Sequence, residues 1–498
     1  MSGGRISGRT EWSPERLAAL SKGLVLIIIG GIAFGIFAVY ANLYYVGAIV
    51  AGLSVTILVA WKFESALLVY ALVAFVPWGR TPSIAMGGSG VGKGVFVSEV
   101  MLGFLLAIWL AKHFLGSLPK DRIRSGFHLP IALYLAYSVW CVANGFIFWD
   151  AHVDRMYQYP MVNLIEVGLR LLSAGAFVMM ATSISDAKWL KRIAVIIMVP
   201  GLYNLFNTLI GGRIPFEAPW WSLLILLPAC YCWAVALDPG SGILKRLTGA
   251  AVVGIAVFII LVQSIAWVSG WLALGAALAT VTFVKSKRLF VLGLIAVSLV
   301  VMLYRPFFYE QVFVESSKAG DFDRFLLMKG AWRYAMTFPL GVGPGNYRTY
   351  NSFYYGEKWG TTAYTSAHGT YAQHLSEMGI PGILLFVGIL VGGLRWMLKR
   401  YRAMESGMSK TYLLAAMGQL VGISFAAFIG DYIIPTYHNN GLTNFSTTVY
   451  SWLIWGLAVA TVRIEERRTE SPAVLRAEIR EEPRVPALAT MHMHGRRT

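Results

Sequence analysis

Long apolar runs separated by polar links follow one another along the chain from Leu24 to Val462. Each run has about 17–25 residues, the length that an α-helix needs to cross the roughly 30 Å hydrocarbon core of a bilayer. The pattern predicts an all-α fold, a polytopic transmembrane helical bundle of about 14 spans, within a range of about 12–14. The predicted spans are 23–41, 44–61, 63–78, 95–115, 127–148, 161–183, 190–210, 218–237, 247–265, 267–284, 289–304, 380–397, 411–433 and 446–462.

The amino-acid composition agrees with a membrane protein and excludes a soluble one. Of the 498 residues, 57% are hydrophobic and only 13% are charged, whereas a soluble chain of this length would carry far more surface charge. The three cysteines, Cys141, Cys230 and Cys232, all fall inside predicted spans. We interpret them as small buried apolar side chains without a redox or metal-binding role.

The net charge of +17 is distributed in a way that predicts the topology. Under the predicted spans every second loop is basic, as in the loops that contain Lys188 and Arg192 or Lys285 and Arg288. Cytoplasmic loops of membrane proteins carry an excess of Lys and Arg, so these loops and both termini are predicted to be cytoplasmic. Because topology accounts for the charge, nucleic-acid binding is not predicted.

The predicted spans divide the chain into five parts: a cytoplasmic tail (1–22), transmembrane helices (23–304), an extracytoplasmic loop (305–379), C-terminal transmembrane helices (380–462) and a cytoplasmic tail (463–498). The C-terminal tail mixes Arg, Glu, Pro and Ala and is predicted to be disordered or loosely helical. The extracytoplasmic loop is far longer than the other links. Long loops on a rigid frame often carry function, so this loop is predicted to be catalytic.

Three short elements are predicted within this loop. Residues 321–338 have helical spacing and place Phe325, Met328, Ala331 and Trp332 on one face. A Gly-rich turn follows at 339–347, and residues 367–378 form a second short helix that leads into the next span. The Trp332 ring is a candidate for stacking on a ring of a ligand.

Histidines in this loop could transfer protons. His368 stands at the start of the second short helix, and His374 lies on a different face, where it can meet Glu377. A histidine at the mouth of the bundle could act as general base for an acceptor hydroxyl, whereas a structural role explains His374 adequately. Asp431 and His438, in the last outer loop, are the next candidates for a base.

Several arginines are predicted on the extracytoplasmic side, against the positive-inside bias. They are Arg213, Arg305, Arg324, Arg333 and Arg348. The guanidinium group binds diphosphates in a bidentate manner, which would explain their presence there. The alternative is that each arginine pairs with a carboxylate of the same loop.

Two ionisable residues are predicted deep inside the sixth span. Glu166 and Arg170 are four positions apart and can pair on one helix face. Ionisable groups at this depth are costly and usually face a cavity or the interior of the bundle. A structural salt bridge and a pair that lines a substrate site both remain open.

Arg324, the turn PLGVGPGNY and the segment HGTYAQHLSEMGIPG together resemble a known superfamily. They are similar to the O-antigen ligase and O-antigen polymerase superfamily of bacterial inner-membrane glycosyltransferases. Its ligases carry a His, then Asn, Ser or Gln, nine residues, a Gly, two residues and a second Gly. His368, Gly379 and Gly382 fit this pattern.

The sequence departs from the superfamily at two positions. Gly369 stands where an amide or hydroxyl side chain is usual, and in WVSGWLALG Val268 takes the place of a further arginine. The resemblance is therefore more specific for the superfamily than for its ligases.

The resemblance implies a metal-independent, inverting glycosyltransferase without a cofactor. The donor would be an oligo- or polysaccharide on a polyprenyl diphosphate, such as undecaprenyl diphosphate, at the outer face of the inner membrane. The leaving diphosphate supplies the energy, and the acceptor would be the hydroxyl of a glycan, of lipid A–core or of a protein. The implied partners are these molecules and membrane lipids, without nucleic acid.

The resemblance also implies roles for individual residues. His368 would be the base or would orient the acceptor, and Arg324 with Arg213 would bind the diphosphate. The further candidates for substrate binding are Arg348, Gly343, Gly345, Tyr347, Tyr371, Glu166 and Arg170.

Two rival functions stay open at this point. An O-antigen or exopolysaccharide polymerase would join lipid-linked repeat units instead of ligating them to another acceptor. A flippase or exporter of lipid-linked glycans would also need many spans and cationic residues, but it would place its charges along the spans. The large loop with its histidines favours the enzyme over the exporter.

Overall fold

The computed structural model describes residues 62–74, 84–85, 94–95, 97–115, 125–155, 159–212, 223–263, 267–310, 322–359, 366–438 and 444–481. The predicted N-terminal tail and the predicted spans 23–41 and 44–61 lie outside these residues, as does Arg213. The unit considered below begins at Glu64.

The described chain is almost entirely helical. A pair of two-residue antiparallel strands, β1 (Ile84–Ala85) and β2 (Gly94–Val95), lies between the first two helices. A 3₁₀ turn (Leu223–Ile225) precedes α6, and a π-helical turn (Ile259–Gln263) extends α7. The helices are α1 (Phe63–Val73), α2 (Val97–Phe114), α3 (His128–Ile147), α4 (Tyr159–Ser183), α5 (Ala187–Leu209), α6 (Leu226–Ala236), α7 (Ile243–Phe258), α8 (Val268–Lys285), α9 (Lys287–Leu303), α10 (Arg305–Tyr309), α11 (Phe322–Thr337), α12 (Tyr347–Trp359), α13 (Thr370–Glu377), α14 (Gly379–Ala403), α15 (Met408–Ala426) and α16 (Phe445–Glu481).

Among the described residues, seven helices are long and apolar enough to cross a membrane. They are α3, α4, α5, α7 with its extension to Val262, α8, α14 and α16 as far as Thr469. The α1 helix and the Leu223–Ala236 helix are apolar but shorter. The predicted fold class, an all-α polytopic membrane protein, is confirmed.

Two helix ends differ from the predicted boundaries of the last spans. The predicted span 411–433 is wrong at its end, because α15 stops at Ala426 and residues 427–438 form a non-helical segment. The apolar residues after Ala426 prolong the hydrophobic run without continuing the helix. By contrast, α16 continues past 462, and its Arg463 donates hydrogen bonds to the carbonyl oxygens of Thr182 and Ile184 at the end of α4.

The predicted apolar face of the first loop helix, α11, is wrong in part. Ala331 is buried as predicted, but Met328 and Trp332 are 40% and 58% exposed, and Leu327 and Tyr334 are buried instead. Leu327, Ala331 and Tyr334 belong to an apolar cluster that also includes residues of α12, of α13 and of the Gly-rich turn, together with Val153 from the link between α3 and α4. The loop helix therefore buries the face that meets the other loop elements.

The Gly-rich turn is packed between the loop and the membrane helices. The Asn144 side chain of α3 donates to the Gly341 carbonyl at 3.1 Å, and the Asn163 side chain of α4 donates to Asn346 Oδ1 at 3.0 Å. Gly343 has a φ of 95°, and a Cβ there would lie 3.0 Å from the Gly145 Cα atom. Only glycine fits this backbone conformation and this close approach.

A buried cluster of three charged residues joins the loop to the bundle. Arg170 Nη2 of α4 lies 3.6 Å from Glu166 Oε2 and 3.4 Å from Glu377 Oε2, and all three side chains are at most 1% exposed. Glu377 ends α13 and also accepts hydrogen bonds from the backbone N–H groups of Gly345 and Tyr347. We call Glu166, Arg170 and Glu377 the ion cluster. The Glu166–Arg170 pair predicted from the sequence is thus present as a buried salt bridge, with Glu377 as an additional partner.

A chain of hydrogen bonds extends the ion cluster to His374. Arg170 Nε donates to the Tyr134 hydroxyl at 3.1 Å, which lies 2.6 Å from His374 Nε2. His374 Nδ1 is 2.6 Å from the Thr370 carbonyl oxygen, which can only accept, so the proton is on Nδ1 and Tyr134 donates to Nε2. Burial and the nearby Arg170 charge lower the pKa of His374 to about 3, which keeps the ring neutral.

We expect Arg170→Met to destabilise the protein strongly. The substitution leaves two buried carboxylates without their shared cation, and breaking a buried ion pair typically costs about 3–5 kcal/mol. Arg333→Met is the control, because Arg333 is exposed on α11 and such changes usually stay within about 0.5 kcal/mol. Thermal denaturation of the purified protein in detergent measures both variants. Equal midpoints would show that the ion cluster does not stabilise the fold.

Candidate active site

A cavity of about 440 Å³ lies where the loop meets one end of the bundle. Its walls come from the 3₁₀ turn before α6, the residue before α8, the first turn of α11, the residues before α13, the second half of α15, the 427–438 segment and the start of α16. The cavity is lined by Leu223, Leu224, Trp267, Arg324, His368, Gln419, Ile423, Ile429, Gly430, Asp431, Tyr432, Asn444, Thr447, Thr448, Tyr450, Ser451 and Ile454. Arg324 and His368, both predicted to be catalytic, therefore face one space.

Arg324 reaches the cavity from the first turn of α11. Its Nη1 atom lies 3.5 Å from the carbonyl oxygen of Ile429 in the 427–438 segment. The side chain is half-buried, and it is the one guanidinium group among the described residues that line the cavity. Its planar fork of N–H donors suits the paired oxygens of a diphosphate.

His368 lies on a strained stretch of backbone at the edge of the cavity. Its φ of 47° makes it the one non-glycine residue with a positive φ in the described part of the chain. The conformation is held by neighbouring hydrogen bonds, from His368 N to Ser366 Oγ and from Ala367 N to Gln373 Oε1. A left-handed conformation of this kind costs of order 1–3 kcal/mol and occurs preferentially at functional sites.

The turn after α15 explains why Gly369 departs from the superfamily pattern. A Cβ at Gly369 would lie 2.8 Å from the Phe428 carbonyl oxygen, so an amide or hydroxyl side chain would displace this backbone. The next residue fixes the same turn, because Thr370 N and Oγ1 both donate to the Gly430 carbonyl, at 3.3 and 3.2 Å. The glycine thus lets the 427–438 segment approach His368 closely.

The 427–438 segment adds two polar side chains that line the cavity. Asp431 is buried and accepts from Thr436 Oγ1 at 3.4 Å. The Tyr432 hydroxyl accepts from the Trp267 indole N–H at 3.0 Å and shares a 2.7 Å hydrogen bond with Ser269. The sequence indicates Asp431 only as a further candidate base and gives no signal for Tyr432, because both residues fall at the end of the apolar run that predicts the span 411–433.

Several residues that are predicted to bind substrate make packing contacts within the protein and do not line the cavity. The Tyr347 hydroxyl donates to the Leu327 carbonyl at 2.9 Å, and the Tyr371 hydroxyl donates to the Ser424 carbonyl at 3.1 Å. Gly343 belongs to the buried turn described above. Each of these residues shapes the loop that carries Arg324 and His368.

Arg348 and His438 lie near each other, and neither lines the cavity. Arg348 Nη1 is 3.5 Å from His438 Nδ1, and His438 Nε2 donates to the Gly345 carbonyl at 3.1 Å. A Cβ at Gly345 would lie 2.7 Å from Val162 Cγ1, so this glycine too is enclosed by α4. These contacts connect the end of the 427–438 segment to the Gly-rich turn.

The described residues contain no group of three or more His, Cys, Asp or Glu side chains that could hold a metal ion. The chemistry that they offer is that of a cation, Arg324, and of two groups able to accept a proton, His368 and Asp431. Val268 begins α8, next to the cavity-lining Trp267.

Comparison with known proteins gives one family match. Residues 246–387 match the model of the family described as O-antigen ligase, and this range includes Arg324, the Gly-rich turn and His368. It covers under a third of the chain. No curated protein matches the sequence. The match supports a membrane enzyme of the ligase or polymerase type in polysaccharide biosynthesis, and it confirms the predicted resemblance of this chain to the O-antigen ligase superfamily.

Proposed function

We propose that the chain transfers an oligo- or polysaccharide from a polyprenyl diphosphate to an acceptor hydroxyl, and that the transfer takes place in the cavity. The observation that carries this proposal is the shared position of Arg324 and His368, which reach the cavity from separate loop elements. One supplies a cation for the departing diphosphate, and the other supplies a base for the acceptor.

The proposed reaction is a single displacement with inversion at the anomeric carbon. The acceptor oxygen forms the new glycosidic bond as the bond between the anomeric carbon and the diphosphate oxygen breaks. The acceptor proton passes to the imidazole of His368, and the electron pair of the broken bond stays on the diphosphate. Arg324 stabilises the negative charge that develops there, and such electrostatic stabilisation is commonly the largest contribution to catalysis.

The arrangement of the helix ends supports a reaction at the outer face of the membrane. The basic links, such as those with Lys188 and Lys285, lie at the opposite end of the helices from the cavity. Under the positive-inside rule that end is cytoplasmic. Together with the alternation of basic loops along the sequence, this supports the proposal that both termini are cytoplasmic and that the cavity opens where lipid-linked glycans are presented after export.

A strain that lacks this protein tests the proposal and separates it from its rivals. For a ligase, we expect lipid A–core without long glycan and an accumulation of lipid-linked polymer. A polymerase would leave single repeat units on the acceptor. Lipid-linked glycan that accumulates on the cytoplasmic side of the inner membrane would identify an exporter and would contradict the proposed transferase.

We expect Arg324→Lys to lose most activity although the charge is retained. Lysine cannot reproduce the bidentate fork, and the loss of one donor to a developing oxyanion typically costs about 10²–10³ in rate. The control is Arg333→Lys on the same helix, whose guanidinium contacts the Tyr355 hydroxyl and does not line the cavity. A transfer assay in membranes measures both. Similar rates for Arg324→Lys and wild type would leave Arg324 with a general electrostatic role only.

We expect His368→Gly to separate stability from activity. Glycine adopts a φ of 47° without strain, so this variant should be at least as stable as wild type. Loss of the imidazole should nevertheless lower transfer by about 10²–10⁴-fold, the usual contribution of a general base. His368→Ala should lose the same activity without the gain in stability. Thermal denaturation and the transfer assay give both quantities, and wild-type turnover in His368→Gly would eliminate His368 as the base.

A further inference from the structure

One wall of the cavity is a row of polar side chains at the start of α16. Asn444, Thr447, Thr448 and Ser451 all line the cavity, and their spacing places them on one face of the helix. We call these four residues the polar stripe. It extends over about 10 Å at the helical rise of 1.5 Å per residue. The next residue on this face, Ile454, is apolar.

The threonines of the polar stripe can accept hydrogen bonds from a ligand. Thr447 Oγ1 donates to the Asn444 carbonyl at 2.9 Å, and Thr448 Oγ1 donates to the Phe445 carbonyl at 3.3 Å. A hydroxyl that donates its single proton in this way retains its acceptor lone pairs. The complementary partners are O–H or N–H groups, which a sugar ring carries in number.

The inner end of the polar stripe is held rigidly. Gln419 Nε2 of α15 donates to Ser451 Oγ at 3.0 Å, and Gln419 Oε1 accepts from the Trp455 indole N–H at 2.9 Å. Gln419, Ser451 and Trp455 are all buried, so the two helices are tied together beside the cavity. A fixed wall of this kind can select a ligand by the positions of its hydrogen-bonding groups.

Other parts of the cavity wall are apolar. The difference between these parts and the polar stripe indicates which part of a ligand contacts the stripe. Leu223, Leu224 and Ile423 line the cavity from α15 and from the turn before α6. Polar side chains within a membrane helix cost free energy unless they are hydrogen-bonded, and they commonly mark a ligand path. The cavity thus offers one surface to a hydrocarbon and another to hydroxyl groups.

We infer that the polar stripe is a sugar subsite that binds the hydroxyl groups of the sugar attached to the carrier diphosphate. This inference rests on the proposed function, which provides the lipid-linked donor. The sugar shares the cavity with Arg324 and His368, so binding of its hydroxyls orients the anomeric carbon for displacement. Thr447 and Thr448 then determine which donor sugar is accepted.

Two lipids test the subsite with the purified full chain in nanodiscs. One is the lipid-linked glycan extracted from the strain that lacks this protein, and the other is undecaprenyl diphosphate without a glycan. We expect wild type to bind the glycan-bearing lipid more tightly. In the Thr447→Val, Thr448→Val double variant this preference should fall by about 3–10-fold per hydroxyl, the value of a neutral hydrogen bond. The affinity for undecaprenyl diphosphate should not change.

Two further variants separate sugar binding from helix packing. Thr461→Val is the matched control, because Thr461 is also buried on α16 and donates to the Leu457 carbonyl at 2.7 Å, but it does not line the cavity. Thr461→Val should leave the preference intact. Thr448→Ser, which retains the hydroxyl, should preserve most of the preference that Thr448→Val loses.

The binding measurements distinguish failure of the sugar subsite from failure of the proposed function. If the double variant keeps the wild-type preference, or if wild type has none, the sugar subsite is wrong although transfer can still occur. If undecaprenyl diphosphate binds equally well to wild type and to Arg324→Lys, the diphosphate role of Arg324 is wrong. If neither lipid binds, the proposed function fails and the subsite fails with it.

Discussion

The ion cluster is the contact on which the position of the loop depends. Arg170 lies between Glu166 of its own helix and Glu377 of the loop, and none of these side chains reaches solvent. Glu166 Oε1 also accepts from the backbone N–H of Tyr437 at 2.6 Å, so the same cluster holds the 427–438 segment. Desolvated charges tolerate little displacement, because a lost partner leaves a buried charge uncompensated. A few polar contacts thereby fix three separate parts of the chain around one end of the bundle.

The geometry of the candidate site depends on the ion cluster, because the cluster fixes chain segments that contribute residues to the site. Glu377 ends α13, which begins two residues after His368, and the 427–438 segment contributes Asp431. Arg324 belongs to α11, whose buried face shares an apolar cluster with the rest of the loop. Catalysis by positioned groups requires that they keep their geometry to within a fraction of an ångström. A loop with its own core, anchored by buried charges, can meet that requirement.

The sequence predicts the fold class and singles out Arg324 and His368 as candidates because these signals are local. Hydropathy identifies most of the spanning helices, and the spacing of His368, Gly379 and Gly382 identifies the loop. The sequence also predicts that Glu166 and Arg170 can pair. Their third partner, Glu377, has no local signature, because it comes 207 positions after Arg170. The buried face of α11 is mispredicted because its partner is the loop core. The polar stripe is not predicted from the sequence, because a few Thr and Ser side chains barely lower the mean hydropathy of a membrane helix.

Arg170 and Arg324 illustrate why residue type alone does not define a role. Arg170 contacts the loop from α4 and Arg324 belongs to the loop, and both are candidates for substrate binding by sequence. Two carboxylates surround Arg170, so the ion cluster as a whole presents no excess positive charge to an anion. Arg324 lies half-buried on the cavity wall, with a backbone carbonyl oxygen as a neighbour, so its charge acts within the space that a ligand can enter. Under the proposed function Arg324 would attract the donor diphosphate, whereas Arg170 is enclosed by carboxylates in the contact between the loop and the bundle.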